Sequence, residues 1–220
     1  MGLKNYRFED LNISAPFLKA LKEEGHISPT PIQKETIPIV LKGLDLMGMA
    51  QTGTGKTAAF TLPILQKLNS KQSNKKARDP RALILAPTRE LAIQINESIR
   101  KYGHYITIKH TVVFGGVKEG PQVKSLALGI DIIVATPGRL LDLINQGVCS
   151  LNSIQFFVLD EADRMLDMGF IKDVEKVIKL LPKKRQSLFF SATMPISVIK
   201  FSENILNSPV KVKINSTFNS

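Results

Sequence analysis

Between an apolar run and a segment of helical character, the chain reads Ala50-Gln51-Thr52-Gly53-Thr54-Gly55-Lys56-Thr57. This order is typical of a P-loop, in which backbone N–H groups of a glycine-containing turn surround nucleotide phosphates. The two glycines permit backbone conformations that are closed to larger residues. Lys56 supplies a cation, and Thr57 supplies a hydroxyl ligand for Mg²⁺. The stretch therefore predicts a nucleoside triphosphate site, and the alternative is a plain Gly/Thr-rich turn.

The composition is that of one globular domain. The 220 residues are 43% hydrophobic and 22% charged, and the net charge of +11 suggests a polyanionic partner. The apolar runs at 82–87 and 130–135 are too short to span a membrane, and the N-terminus lacks the apolar region of a signal peptide. We therefore expect a cytoplasmic protein. Cys149 is the single cysteine, which excludes an internal disulfide, and it has no Cys or His partners nearby for a zinc site.

Short apolar runs alternate with longer helical segments, which predicts an α/β fold with a mostly parallel central sheet of about seven strands and helices on both faces. Two of these runs are continuously apolar, as expected for strands that are buried on both sides. The predicted strands cover residues 44–49, 81–86, 110–114, 130–135, 154–160, 187–191 and 210–214. Apolar residues at helical spacing over 171–181 predict an amphipathic packing helix.

Two polar segments are predicted to lie at the surface. Residues 69–80 read as a loop after the P-loop helix, and they include Lys75, Lys76 and Arg78. A second basic run covers residues 183–185. Either run could contact nucleic acid, but short charge runs are usually solvated faces, so both interpretations stay open.

An apolar strand at 156–159 ends in the acids Asp160 and Glu161. In P-loop enzymes the first acid at such a strand end holds the magnesium ion. Glu161 is then placed to orient or deprotonate the attacking water. Taken alone, the two acids could simply cap the next helix. Together with the upstream P-loop, they predict triphosphate hydrolysis.

With Asp-Glu-Ala-Asp at 160–163, nearly the whole chain resembles the N-terminal RecA-like domain of a DEAD-box RNA helicase. The P-loop of that family reads A-x-T-G-x-G-K-T, so Ala50 fits the family although a general P-loop has glycine there. Residues 160–170 and 189–195 are most similar to the bacterial RhlE-type branch. The resemblance implies ATP and Mg²⁺ as ligands and RNA as a partner.

Residues 25–33 resemble the Q motif of this family, in which Gln33 reads the adenine edge. Gln33 can donate and accept at once, which matches adenine and predicts ATP over GTP. His26 stands where the family more often has Phe or Tyr, and an imidazole can still stack. Phe8 occupies the place of an isolated upstream aromatic. The alternative is a helix capped near Thr30, with Gln33 merely exposed.

The resemblance assigns each role to residues of this chain. The expected catalytic residues are Lys56, Asp160 and Glu161, and the expected Mg²⁺ ligands are Thr57 and Asp160. The nucleotide is expected to contact Phe8, His26, Thr30, Gln33, Gln51, Thr52, Gly53, Thr54, Gly55, Lys56 and Thr57.

Three further segments resemble RNA-binding motifs of the family, and each follows a predicted strand. Hydroxyls, glycine N–H groups and arginine suit sugar-phosphate oxygens, which predicts sequence-tolerant binding. Taken separately, the Gly-Gly pair could be a plain turn and the third segment a plain helix start. The predicted RNA-binding residues are Pro87, Thr88, Arg89, Gly115, Gly116, Thr136, Pro137, Gly138 and Arg139. The resemblance also assigns the coupling of hydrolysis to strand separation to Asp163, Ser191 and Thr193.

The predicted organisation is an N-terminal extension with the Q motif over 1–36, a RecA-like helicase domain over 37–214, and the start of an interdomain linker over 215–220. Family members carry a second RecA-like domain with catalytic arginines, and no His-Arg-x-Gly-Arg-like segment occurs here. We therefore expect this chain alone to be nearly inactive and unable to unwind a duplex. A monomer is expected for the fragment, and the sequence leaves the oligomeric state of the protein open. The rival interpretations are a binding module without turnover and a DNA translocase.

Overall fold

The computed structural model describes residues 6–70 and 79–214. The predicted loop cations Lys75, Lys76 and Arg78 and the predicted linker 215–220 lie outside the described residues. In the described part, no helix has the length and apolarity needed to cross a membrane.

Seven strands form the sheet, and each is short. They are β1 (Leu46–Met49), β2 (Ala82–Leu85), β3 (His110–Val113), β4 (Ile132–Ala135), β5 (Phe156–Leu159), β6 (Gln186–Ser191) and β7 (Val210–Lys213). All seven predicted strands are confirmed, and most are shorter at their ends than the apolar runs, because the flanking residues already belong to the loops.

A 3₁₀ helix at Phe8–Leu11 precedes the α-helices of the described chain. These are α1 (Ala15–Glu23), α2 (Pro31–Leu41), α3 (Lys56–Ser70), α4 (Arg89–Tyr102), α5 (Gly120–Ala127), α6 (Pro137–Asn145), α7 (Ala162–Asp167), α8 (Ile171–Lys179) and α9 (Ile196–Glu203). The amphipathic helix predicted over 171–181 is α8, which buries Val174 and Val177.

Every strand pair in the sheet is parallel, with the order β3-β4-β2-β5-β6-β1-β7. The crossover helices therefore lie on both faces of the sheet. In β2, Ala82 and Ile84 pack into one core with α2, α3 and α4. Leu83 and Leu85 point to the opposite core, with α6 to α9. The predicted α/β architecture is confirmed, and it brings all the strand carboxyl ends to one edge of the sheet.

Candidate active site

The predicted site loops share one edge of the sheet. The P-loop follows β1, Asp160 follows β5, and Ala192 follows β6. Backbone hydrogen bonds fix the starts of these loops to neighbouring strand ends: Ala50 donates to the Ser191 carbonyl at the end of β6 at 3.1 Å, and Asp160 donates to the Leu85 carbonyl at the end of β2 at 3.0 Å. In open parallel sheets, ligands bind at this edge.

The P-loop turns sharply at its two glycines. Gly53 has φ +85° and Gly55 has φ +92°, in the left-handed region that favours glycine. Gly55 is also tightly enclosed, because a Cβ atom there would lie 2.5 Å from Gln33 Nε2 and 2.9 Å from Thr30 Oγ1. A Cβ at Gly53 would meet nothing within 4 Å. The Q-motif segment therefore packs directly behind the second glycine.

Lys56 opens α3 and is only 5% exposed, with Nζ 3.7 Å from the Asp160 carboxylate. Its Nζ atom has no hydrogen-bond partner among the described residues. Burial raises the pKa of Asp160 to about 6, although the Lys56 charge opposes that rise. A buried ammonium with unused donors is costly unless an anion satisfies it. A phosphate group beside the Asp160 carboxylate would supply such an anion.

Glu161 adopts an unusual backbone conformation at the start of α7, with φ +50° and ψ +52°. Its Oε1 accepts a hydrogen bond from Thr52 Oγ1 at 3.0 Å. Its Oε2 lies 3.3 Å from Arg164 Nη1. The backbone N–H of Glu161 donates to Asp160 Oδ1 at 2.9 Å. Contacts with the P-loop and with α7 thus hold the two acids in one turn.

Asp163 connects this turn to the segment after β6. Thr193 donates to Asp163 Oδ2 through both its hydroxyl and its backbone N–H, each at 2.9 Å. The Asp163 N–H donates to Ser191 Oγ at 3.2 Å. Burial alone would raise the pKa of Asp163, but these bonds hold it below its ordinary value. The structure therefore brings together the three predicted coupling residues.

Gln33 is buried, with 4% exposure, so the alternative of an exposed glutamine is wrong. Its Oε1 accepts from the Thr30 N–H at 2.9 Å, which helps to cap α2. Its Nε2 donates to the Gly55 carbonyl at 3.2 Å. Gln33 thus joins the start of α2 to the P-loop.

The two rings predicted to contact the nucleotide, those of Phe8 and His26, make other contacts. Phe8 is 3% exposed and packs into the core that contains α2 and α3, so its ring offers little free surface. His26 is exposed and lies beside Tyr102 at the end of α4, with Nε2 3.2 Å from the Tyr102 hydroxyl. The pairing with Tyr102 ties the Q-motif segment to α4. A stacking role for either ring would require it to move.

The three predicted RNA-binding loops are bridged by arginines. The Arg89 guanidinium lies 4.8 Å from the centre of the Phe114 ring, next to Gly115. Arg139 Nη2 donates to the Val117 carbonyl at 3.3 Å, next to Gly116. Arg139 Nη1 is buried without a hydrogen-bond partner in the described structure. The segment that contains the Gly-Gly pair is therefore held between the starts of α4 and α6.

Other contacts bring Thr88, Pro137 and Gln122 into this surface. Thr88 caps α4, because its Oγ1 accepts from the Leu91 N–H at 3.2 Å. Pro137 starts α6, directly after Thr136. Gln122 was not predicted, yet its amide makes two hydrogen bonds, each of 3.1 Å, with the backbone N–H and carbonyl of Phe114. Nothing in the local sequence pattern predicts these two hydrogen bonds.

Arg164 was also not predicted as a site residue. It lies three positions after Glu161, which is the spacing at which side chains meet on a helix. That spacing was available in the sequence.

Comparisons with known proteins agree with this geometry. The family model for the DEAD/DEAH box helicase matches residues 30–201. The chain is 44% identical over 208 residues to the DEAD-box ATP-dependent RNA helicase CshA of Streptococcus pneumoniae, covering 94% of this chain and 39% of that protein. It is 45% identical over 210 residues to the ATP-dependent RNA helicase DeaD of Buchnera aphidicola, covering 95% and 34%.

Among solved structures, a DEAD box protein from the hyperthermophile Methanococcus jannaschii is similar, with a TM-score of 0.87 and 38% identity. The match covers 95% of this chain and 56% of that one. The chain spans about two fifths of the length of the first curated relatives that it matches. It belongs to the DEAD/DEAH box helicase family.

Proposed function

We propose that this chain is the ATP- and RNA-binding first domain of an ATP-dependent RNA helicase that couples hydrolysis to local duplex unwinding. The observation that carries the proposal is the buried Lys56 ammonium, which has no hydrogen-bond partner in the described structure and lies 3.7 Å from Asp160. The relatives' names describe ATP-dependent RNA helicases. The proposed organisation is the extension 1–36, the helicase domain 37–214 and the linker start 215–220, with a second RecA-like domain elsewhere in the protein.

The P-loop is proposed to bind the triphosphate of ATP. Lys56 would donate to phosphate oxygens, and the Gly53–Gly55 turn would present backbone N–H groups. Thr57 and Asp160 would hold Mg²⁺, which neutralises phosphate charge when it is bound. The remaining P-loop residues, Gln51, Thr52 and Thr54, are proposed to shape the same cradle.

Gln33 is proposed to recognise adenine while it keeps its present contacts. Each amide hydrogen bond uses only half of the capacity of its group, since the oxygen has a second lone pair and the nitrogen a second hydrogen. The remaining acceptor and donor of the amide match the N6 donor and N7 acceptor of adenine, whereas guanine presents two acceptors there. Phe8, His26 and Thr30 complete the proposed adenine side, with Phe8 and His26 repositioned from their present contacts.

Glu161 is proposed to orient or deprotonate the attacking water. Its carboxylate lies at the carboxyl edge of the sheet, bound to the P-loop through Thr52. Arginines of a second domain are expected to stabilise the transferred charge, since an arginine of this kind is worth several orders of magnitude in turnover. This chain alone is therefore expected to hydrolyse ATP very slowly.

RNA is proposed to bind along the loops that follow β2, β3 and β4, with contacts that fix the backbone and not the bases. The proposed contacts are Pro87, Thr88, Arg89, Gly115, Gly116, Thr136, Pro137, Gly138 and Arg139.

Hydrogen bonds among Asp163, Ser191 and Thr193 are proposed to couple hydrolysis to strand separation, because they connect the turn that contains Asp160 and Glu161 to the end of β6. We also propose a cytoplasmic protein and an RhlE-type branch, although the relatives named above are CshA and DeaD.

Nucleotide titration of this chain tests the proposed site. Lys56→Ala should remove measurable ATP binding, whereas Lys200→Ala on the exposed face of α9 should leave it unchanged. Gln33→Ala should weaken ATP binding more than GTP binding. Equal losses for both nucleotides would contradict adenine recognition by Gln33.

Turnover is tested in the full-length gene product that contains this chain. Glu161→Gln should retain ATP binding and lose RNA-stimulated hydrolysis, because Glu161 acts on water and Lys56 acts on phosphate. Residues 1–220 alone should not unwind a duplex. Robust unwinding by the short chain would overturn the assignment as one domain of two, and a full-length protein that binds ATP but never hydrolyses it would instead be a binding module.

A further inference from the structure

A carboxylate that acts on water must be aimed, and the structure offers Glu161 two anchors. We propose that Arg164 is a positioning residue that, together with Thr52, fixes the Glu161 carboxylate for hydrolysis. This inference rests on the proposed function. Among residues 6–70 and 79–214, each carboxylate oxygen has one side-chain partner, with Thr52 Oγ1 on Oε1 at 3.0 Å and Arg164 Nη1 on Oε2 at 3.3 Å.

The backbone alone does not hold the carboxylate in place. Glu161 has φ +50°, a conformation that non-glycine residues adopt at a cost. Its side chain is 10% exposed, while the Arg164 side chain is 57% exposed and reaches inward from α7. Ala162 and Met165 anchor α7 in the core, which fixes the backbone of the turn but not the side-chain torsions of Glu161. Alignment therefore depends on the two side-chain anchors.

The ion pair at Arg100 and Glu97 provides a matched comparison. It has the same spacing of three residues, with Arg100 Nη2 2.8 Å from Glu97 Oε2. Both of its side chains are exposed, at 62% and 47%, and it lies on α4. Exposed pairs of this kind contribute little. The pair at Arg164 differs because its carboxylate is buried and belongs to the acidic turn.

The two anchors leave one lone pair on each carboxylate oxygen for water. Thr52 belongs to the P-loop, so its bond would fix the position of the carboxylate relative to phosphates held there. Arg164 holds the second oxygen and thereby removes rotation of the carboxylate about its last bond. A reacting group that is poorly oriented loses rate without losing substrate affinity. Arg164 should therefore act on turnover and not on nucleotide binding.

The experiment measures RNA-stimulated ATPase kinetics and nucleotide affinity in the full-length gene product. The variants are Arg164→Gln, which keeps a polar side chain without the charge, and Arg164→Lys, which keeps the charge. Arg100→Gln is the control. We expect Arg164→Gln to lower kcat by about tenfold or more, with KM and the nucleotide Kd within about twofold. Arg164→Lys should recover part of the loss, and Arg100→Gln should match the wild type.

Three results would overturn the positioning role. The first is an unchanged kcat in Arg164→Gln. The second is a rise in KM and in the nucleotide Kd that accounts for the whole loss of kcat/KM. The third is an Arg164→Lys variant whose kcat is no higher than that of Arg164→Gln. Should Arg164→Gln fail to fold, Arg164→Met retains the aliphatic packing and is judged by the same criteria. A wild-type protein without ATPase activity would overturn the proposed function as well, whereas an active wild type with an equally active Arg164→Gln would overturn the role of Arg164 alone.

Discussion

Gly55→Ala should destabilise the chain more than Gly53→Ala, although both glycines have a positive φ. The strain of an alanine in the left-handed region is about 1–2 kcal/mol and is common to both variants. Only Gly55 is enclosed, with its would-be Cβ 2.5 Å from Gln33 Nε2 and 2.9 Å from Thr30 Oγ1. The comparison therefore isolates the packing of the Q-motif segment against the P-loop.

The extra cost follows from the bonds that Gln33 would lose on moving aside. These are its bonds to the Gly55 carbonyl and to the Thr30 N–H. A net loss of about 0.5–1 kcal/mol for each gives about 1–2 kcal/mol in total. For a domain of this size, that corresponds to a further fall in Tm of about 2–8 °C beyond the fall seen in Gly53→Ala.

Thermal unfolding of residues 1–220 without nucleotide measures both variants, and each is repeated in a Gln33→Ala background. Removal of the amide should shrink the difference between the two alanine variants, because the main obstacle to the Gly55 Cβ is then gone. Equal Tm values for Gly53→Ala and Gly55→Ala would show that the contact between Gln33 and Gly55 adds nothing to stability. So would a difference that persists in full without the Gln33 amide.

Two further predictions follow from shifted pKa values. Thr193→Val removes one of the bonds that lower the pKa of Asp163 from its ordinary value of 3.8. The variant should therefore have a lower Tm than wild type from neutral pH down to about 3.8, and the difference should shrink as the pH falls further and Asp163 is protonated. A Tm difference that grew with acid would contradict this sign. Burial, with the charge of Asp79, raises the pKa of Cys149 to about 11, so iodoacetamide should alkylate the folded chain at pH 8 far more slowly than the urea-unfolded chain, as mass spectrometry would measure. Equal rates would refute a raised pKa.

The sheet could be predicted because its strands are buried on both sides. Runs such as Ala82–Leu85 and Ile132–Ala135 are apolar throughout, and both are fully buried. The order of the strands could not be predicted, since the apolar runs carry no sign of which one pairs with which. Leu46 pairs with Leu188 and Val210, far along the chain, and nothing in the local sequence around Leu46 specifies these partners.

The candidate site could be predicted as a set of loops but not as a set of contacts. Lys56 and Asp160 carry their chemistry in their local sequence, and the parallel sheet brings them together. The contacts of Gln33 with Gly55 and of His26 with Tyr102 join positions far apart in sequence, and no periodicity encodes them. The left-handed backbone of Glu161 was likewise unpredictable, because local preferences for a glutamate oppose it.

The strand order also bears on how the protein is made. β1 leads into the P-loop early in the chain, yet its neighbours in the described sheet are β6 and β7, which follow the other four strands in sequence. During synthesis, β1 cannot pair in the sheet until Gln186–Ser191, which form β6, have left the ribosome. Long-range pairing of this kind slows folding and leaves apolar segments exposed in the meantime. A nascent chain should therefore gain nucleotide affinity late and abruptly, once β6 has inserted between β5 and β1.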